Sequence, residues 1–153
     1  MIVVAETPID AGASLSAFQV DAHGAGGIVS FSGVVRDVAK TNDVSTLFLQ
    51  AYSPMTENGI QAAVDEANTR WPLTAIHVKH RTGEMAPGDT IVFVATASAH
   101  RRAAFEAADF LMDYLKTKAV FWKKETTTEG NRWIEPRAED YLDSARWDET
   151  KET

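Results

Sequence analysis

The stretch from Ser98 to Glu125, SAHRRAAFEAADFLMDYLKTKAVFWKKE, constrains the fold more than any other part of the chain. Ala104, Ala108, Leu111 and Leu115 recur at helical spacing, and Phe105 and Met112 widen the apolar stripe. Arg102, Glu106, Asp109 and Asp113 mark the opposite, solvated face. Ser98 stands where an N-cap residue would accept a first-turn N–H. The spacing predicts one long amphipathic helix, followed by a short basic-aromatic segment.

Two features of that stretch carry chemistry. His100, Arg101 and Arg102 crowd the first turn, where the helix dipole disfavours each positive charge by roughly 0.3–1 kcal/mol. Free N–H groups at the same end attract anions. The turn is therefore either a phosphate-type anion site or a solvated basic patch balanced by carboxylates elsewhere. Lys116, Lys118, Lys123 and Lys124 gather around Phe121 and Trp122. Lysines at a helix C-terminus suit the dipole, so Lys116 and Lys118 can be plain caps. A lysine beside aromatics can also be a desolvated amine with a lowered pKa, fit for acid–base or covalent work.

Elsewhere the pattern alternates strands and helices. Strands are predicted at Ile2–Val4, Ile28–Arg36, Ser45–Tyr52, Leu73–Arg81, Thr90–Ala97, Trp122–Thr128 and Arg132–Glu135. A short helix is expected over Ser14–Val20. A longer one opens with Ser53 as N-cap and Pro54 as first helical residue, and Pro72 stops it. Ile60, Ala63, Val64, Ala67 and Trp71 form its buried stripe. On the Leu73–Arg81 strand, Ile76 and Val78 face inward, and His77 and Lys79 outward. His77 and His80 cannot share a strand face, which argues against a metal pair. Gly83 and Pro87-Gly88 mark turns, and Asp37–Asp43 a mobile loop. From Arg137 the chain is polar and acidic and is expected to fray. The order is that of a single α+β domain spanning residues 1–153, with two main helices.

The chain has 153 residues, a hydrophobic content of 44% and a net charge of −7. These values suit one globular domain and argue against general nucleic-acid binding. No apolar run reaches membrane-span length, and Met1–Asp10 lacks the basic-then-apolar pattern of a secretory signal; a cytoplasmic setting is expected. Cysteine is absent, which excludes disulfides and thiolate nucleophiles.

The segments His100-Arg101, Phe105-Glu106-Ala107, Met112-Asp113-Tyr114-Leu115-Lys116-Thr117 and Phe121-Trp122-Lys123-Lys124-Glu125 together resemble the catalytic (large) subunit family of molybdopterin synthase. Phe31-Ser32-Gly33-Val34-Val35-Arg36, Met55-Thr56-Glu57, Arg70-Trp71-Pro72-Leu73, His80-Arg81-Thr82-Gly83-Glu84 and Glu129-Gly130-Asn131-Arg132-Trp133 extend the likeness. The resemblance implies an α/β-hammerhead-type fold with a mixed or antiparallel sheet. It implies transfer of sulfur to cyclic pyranopterin monophosphate, forming the molybdopterin dithiolene. The sulfur would arrive as a thiocarboxylate on the C-terminal Gly-Gly of a small ubiquitin-like subunit. That agrees with a chain that has no thiol of its own. The implied assembly is a heterotetramer built on a central homodimer of this chain. No cofactor and no metal are implied.

Carried onto this sequence, Lys116 and Lys123 match the family's two essential lysines. Arg36, His100, Arg101 and Arg137 match its anion and pterin contacts, and Phe31 and Met112 its apolar pocket wall, although both could equally be plain core. Trp122 is expected to shield Lys123 from water; His77, His80 and His23 match no functional position. The chain departs from the family at Leu49-Gln50-Ala51-Tyr52-Ser53-Pro54-Met55, where Leu-Glu-His-Tyr-Pro-Gly-Met is usual. Val120 also replaces a common proline, which would loosen the helix exit. The missing carboxylate and imidazole keep a second reading open, a non-catalytic module that binds a ubiquitin-like partner or a phosphorylated ligand.

Overall fold

The computed structural model describes residues 1–36, 44–127, 130–133 and 137–148. The chain order is β1 (Ile2–Ala5), α1 (Ala11–Asp21), β2 (Gly27–Val34), β3 (Val44–Ala51), α2 (Met55–Arg70), β4 (Leu73–Arg81), β5 (Gly83–Met85), β6 (Thr90–Ser98), α3 (Arg101–Thr117), β7 (Phe121–Thr127), β8 (Gly130–Trp133) and α4 (Ala138–Ala145). The α+β class is as expected. The strands form two four-stranded sheets, β1-β4-β6-β2 and β5-β3-β7-β8, rather than one. All pairings are antiparallel except β1 with β4.

Strand β6 is buried along almost its whole length because helices cover both faces of the first sheet. Val92 and Val94 pack with Ile76, Val78, Ile60, Val64, Phe110 and Leu111 under α2 and α3. Phe93, Ala95 and Ala97 pack with Phe18 and Ala22 under α1. This second cover overturns the outward placement of His77, which is buried with its ring edge-on to Phe18. Its Nε2 lies 2.8 Å from the Asp21 carboxylate. Lys79 Nζ donates to Ser14 Oγ on the same face. Half-polar alternation along β4 concealed a strand covered on both sides.

Helix α3 returns along β6 with Ala103, Ala104, Ala107 and Ala108 against the sheet. Their small side chains let the backbones approach, and Thr96 Oγ1 donates to the Ala104 carbonyl at 2.6 Å. Phe105 lies one residue off this stripe and is 60% exposed, not part of the core. Ser98 does not cap the helix. It ends β6 and donates to the Pro72 carbonyl, and His100 takes the cap position without a side-chain capping bond. The acidic face is only partly solvated: Arg102 and Asp109 are exposed as expected, but Glu106 and Asp113 are partly covered. Trp71 Nε1 donates to Glu106, Trp147 Nε1 to Asp113, and Arg146 bridges Asp109 and Asp113.

Those contacts explain the C-terminal correction. Of the stretch expected to fray, Ala138–Ala145 forms α4, which packs on α3, and residues 149–153 lie outside the described residues. Asp140 accepts from the Arg137 N–H at its start. Trp147 packs edge-on to both Trp71 and Phe110, which also meet each other edge-on. Three further boundaries differ. Asp10 caps α1, which starts at Ala11, three residues before Ser14; its side chain accepts from the Ala13 N–H. Pro54, not Ser53, takes the cap position of α2, and the Ser53 hydroxyl donates to Glu57. The region around Gly83 contains β5, paired with β3. The Asp37–Asp43 loop, Thr128 and the end of the last predicted strand at Ile134–Glu135 lie outside the described residues.

The two sheets meet at Phe121, which packs against the core under α2 and α3 and against Val35, Leu47, Leu49 and Met85 between the sheets. The fully buried Thr56 closes the same junction. Its hydroxyl donates to the Val120 carbonyl at 2.6 Å and accepts from the Tyr52 N–H at 2.9 Å. With Lys118 N–H and Ala119 N–H both on the Tyr114 carbonyl, the exit from α3 is well held despite Val120. Thr56→Val keeps the volume but leaves the part-buried Tyr52 N–H and Val120 carbonyl without this hydroxyl. It should destabilise the fold by about 2–4 kcal/mol in urea denaturation; an unchanged midpoint would show that the junction does not depend on this hydroxyl.

Candidate active site

Because α3 runs antiparallel to β6, Lys116 in its last turn reaches the end of the sheet where β4 ends at His80 and Arg81. Strand β7 starts at that same end. Phe121, Lys123 and Glu125 alternate onto one face, and Trp122 and Lys124 onto the other. Lys116 and Lys123 are thus brought together from two elements, one exposed and one partly buried. Burial and then the neighbouring Lys116 charge lower the Lys123 amine from 10.5 to about 8, against the opposing influence of Asp140 and Glu125.

The dry side of this site is not Trp122, which is 51% exposed on the other face and meets Tyr52 edge-on. It is Phe121 and His80, whose rings stack at 4.1 Å between centroids. His80 is buried and held neutral, with its pKa lowered to about 4 by burial first, then by Lys123 and Lys116. Sequence reasoning missed His80 and Asp140. The signal for His80 was present, because it continues the inward alternation of Ile76 and Val78. Asp140 had none, since its helix was not foreseen.

The matched anion contacts divide between the two ends of the sheet. Arg36 follows β2 beside the Ala86–Asp89 turn, where Val35 N–H bonds the Asp89 carbonyl and Gly88 N–H the Val35 carbonyl. That is the end holding Lys116. Arg137 begins α4 and pairs with Asp140, whose charge acts on Lys123. His100 and Arg101 lie at the far end, beside the start of β2. A Cβ at Gly26 would collide with the Ala99 carbonyl, so only glycine lets β2 pass this turn. Along an unbroken α3, Arg101 and Lys116 are about 22 Å apart. One copy of the chain therefore does not bring the cationic turn to the lysines. Phe31 is 45% exposed on edge strand β2, on the face that carries α3, so it is not plain core; Met112 packs partly buried on the main cluster. Gln50 is exposed and pairs with Trp122, whereas Ala51 pairs with Phe121. The lost carboxylate therefore falls on the face away from Lys123. Among the described residues no group of three or more His, Asp or Glu side chains is arranged to hold a metal ion.

Two lysines sharing a partly desolvated corner, with a neutral ring beneath them, are an arrangement that could move protons at an anionic or acyl reactant. The sequence model of the family described as MoaE protein matches residues 4–118. The chain is 47% identical to the molybdopterin synthase catalytic subunit of Pseudomonas aeruginosa, over 97% of this chain and 99% of that one. It is 52% identical to the molybdopterin synthase catalytic subunit of Escherichia coli K12, over 80% and 81% of the two chains. Its fold superposes on the molybdopterin biosynthesis MoaE protein of Burkholderia ambifaria with a TM-score of 0.82 at 38% identity, covering 98% of this chain and 99% of the other. The chain belongs to the MoaE family.

The lowered amine has a stability consequence. The unfolded chain binds a proton at Lys123 more tightly than the folded chain does between about pH 8 and 10.5. Folding therefore opposes the charged amine at neutral pH, and stability rises with pH through that window. Lys123→Met should raise stability at pH 7 by an amount on the order of 1–3 kcal/mol, read by urea denaturation. A less stable variant would contradict the desolvated placement.

Proposed function

We infer that the chain is the catalytic subunit of a molybdopterin synthase, a sulfurtransferase of molybdenum cofactor biosynthesis. The observation that carries this reading is the Lys116–Lys123 pair, assembled at one end of the sheet in a chain of this family. Its substrate is cyclic pyranopterin monophosphate, and its sulfur donor is the thiocarboxylated Gly-Gly end of a small ubiquitin-like subunit. Lys116, the exposed member, meets the incoming thiocarboxylate as acid–base or transient covalent partner. Lys123 supports it or activates the pterin. An amine titrating at about 8 is neutral in roughly a tenth of molecules at pH 7, enough to accept a proton without prior rearrangement. Arg36 and Arg137 supply cationic donors near the lysines, and Phe31 and Met112 an apolar wall. The chemistry is placed in the cytoplasm.

The site is composite. His100 and Arg101, with the uncapped N–H groups of α3, form an anion-binding end too far from Lys116 for one pterin monophosphate to bridge. A second copy related by a two-fold axis brings its α3 start to the first copy's lysines. The dimer surface that supports this is edge strand β2, where Ile28, Phe31 and Val34 are exposed, together with Phe105 of α3. The small subunits complete a heterotetramer.

Reconstitution with the thiocarboxylated small subunit and the pterin precursor should yield dithiolene product; a partner lacking its terminal Gly-Gly should give none. Lys116→Ala should lower the rate by about 10²-fold or more without unfolding the chain. Lys118→Ala is the control, since Lys118 is exposed and paired with Asp148. Equal small effects at both positions would mean that Lys116 is only a cap.

Co-refolding Lys116→Ala chains with His100→Ala/Arg101→Ala chains tests the composite site. Each mixed dimer has one doubly defective and one intact site, so random mixing should restore roughly a quarter of the activity. No recovery in verified mixed dimers would place the cationic turn outside the site.

A further inference from the structure

The lysine corner rests on a ring to which neither the family likeness nor the proposed reaction assigns a role. His80 ends the inward-facing row of β4, in register with Val92. Its Nδ1 lies 3.0 Å from the Arg81 carbonyl, which can only accept, so Nδ1 carries the proton and Nε2 the lone pair. The ring is buried and lies over Phe121 at an interplanar angle of 25°. Phe121 stands two residues before Lys123 and on the same face of β7. The imidazole thus sets the position of the aromatic floor from which the amine projects.

We propose that His80 is a positioning residue of the site, a ring that, through Phe121, fixes how far the Lys123 amine is withdrawn from water. Its committed Nδ1–H fixes one tautomer. A second proton, on Nε2, would place a buried imidazolium near the Lys116 and Lys123 charges. A phenyl ring would fill the same space but would not bond the Arg81 carbonyl. A methyl group would leave a gap, and water entering it would restore hydration to the Lys123 ammonium. The groups that act on that amine are Lys116 from α3, Asp140 from α4 and Glu125 on β7, and none of them changes in such variants.

The proposal rests on Lys123 being the proton-transferring amine, but its primary test does not use turnover. With ¹³C-labelled lysine, the Lys123 Cε resonance, assigned by its loss in Lys123→Met, is followed against pH in the intact chain. In the wild type it should titrate near the value that burial imposes. His80→Ala should move the midpoint up by a unit or more, a tenfold loss of neutral amine at pH 7. His80→Phe should leave it within a few tenths of the wild type. His80→Asn, which also lacks the ring but keeps a donor for Arg81, stands in if the alanine variant does not fold.

An unmoved midpoint in folded His80→Ala or His80→Asn would overturn the proposal. So would a His80→Phe midpoint that rises as far as theirs. In the reconstituted assay the acid limb of the pH–rate profile should shift with the amine. A His80→Phe enzyme with an unmoved amine but a lost rate would also overturn the proposal, making the imidazole nitrogen itself a participant. Should Lys123→Ala prove fully active, the functional reading fails while the amine titration still decides the role of the ring.

Discussion

Everything in this structure depends on β6 being buried on both faces. A strand with apolar side chains on both sides needs two layers of cover, and the chain supplies α1 on one and α2 with α3 on the other. The loop after β6 is short, so α3 must run back along the strand it has just left. This fixes the two ends of the helix at opposite ends of the sheet. The alanines that let it lie close also leave it no freedom to slide, since the Thr96 hydroxyl is tied to the Ala104 carbonyl. The positions of the cationic turn and of Lys116 follow from packing, before any consideration of chemistry.

The second sheet turns that placement into a site. Phe121 belongs to the cores on both sides of the junction, and Thr56 ties the strand that carries it to the start of α2. A lysine two residues beyond such an anchor cannot retreat to solvent. Bringing it beside Lys116 costs folding energy, because one ammonium is partly desolvated and faces another. The same cost makes an amine usable near neutral pH.

Much of the fold was legible because the strongest signals were local. The apolar period of α2 and α3, the strand of Thr90–Ala97, and Pro72 as a stop all correspond to observed elements. The errors share one physical cause. Sequence patterns distinguish polar from apolar faces, but they do not show what covers a polar face. Glu106 and Asp113 looked solvated and are instead partly covered acceptors for Trp71, Trp147 and Arg146. His77 looked exposed and lies under α1. Trp122 looked like the shield of Lys123, but strand alternation sends it to the other face, and Phe121 holds that position. The lysine pair itself came from the family likeness. Residue spacing offered only a choice between caps and reactive amines, and the burial of Lys123 beside the Lys116 charge is a property of the folded chain that spacing does not carry.

The C-terminal helix shows how stability and reactivity are joined here. Three donors on the far side of α3 meet carboxylates that would otherwise sit in water, and two of them, Arg146 and Trp147, follow directly after α4. Docking that helix gives the acidic face of α3 its partners and carries Asp140 toward Lys123. Lys116 and burial push the Lys123 amine toward neutrality, while Asp140 and Glu125 pull it back toward the charged form. A site with only the first pair of influences would hold a more neutral but less well anchored amine. A site dominated by the second would hold an inert ammonium. The balance depends on a helix that itself docks on the last turns of α3, through Asp109, Asp113 and Thr117. Changes at Trp147 or Arg146, which hold Asp113 one turn before Lys116, therefore reach Lys123 through the position of one carboxylate.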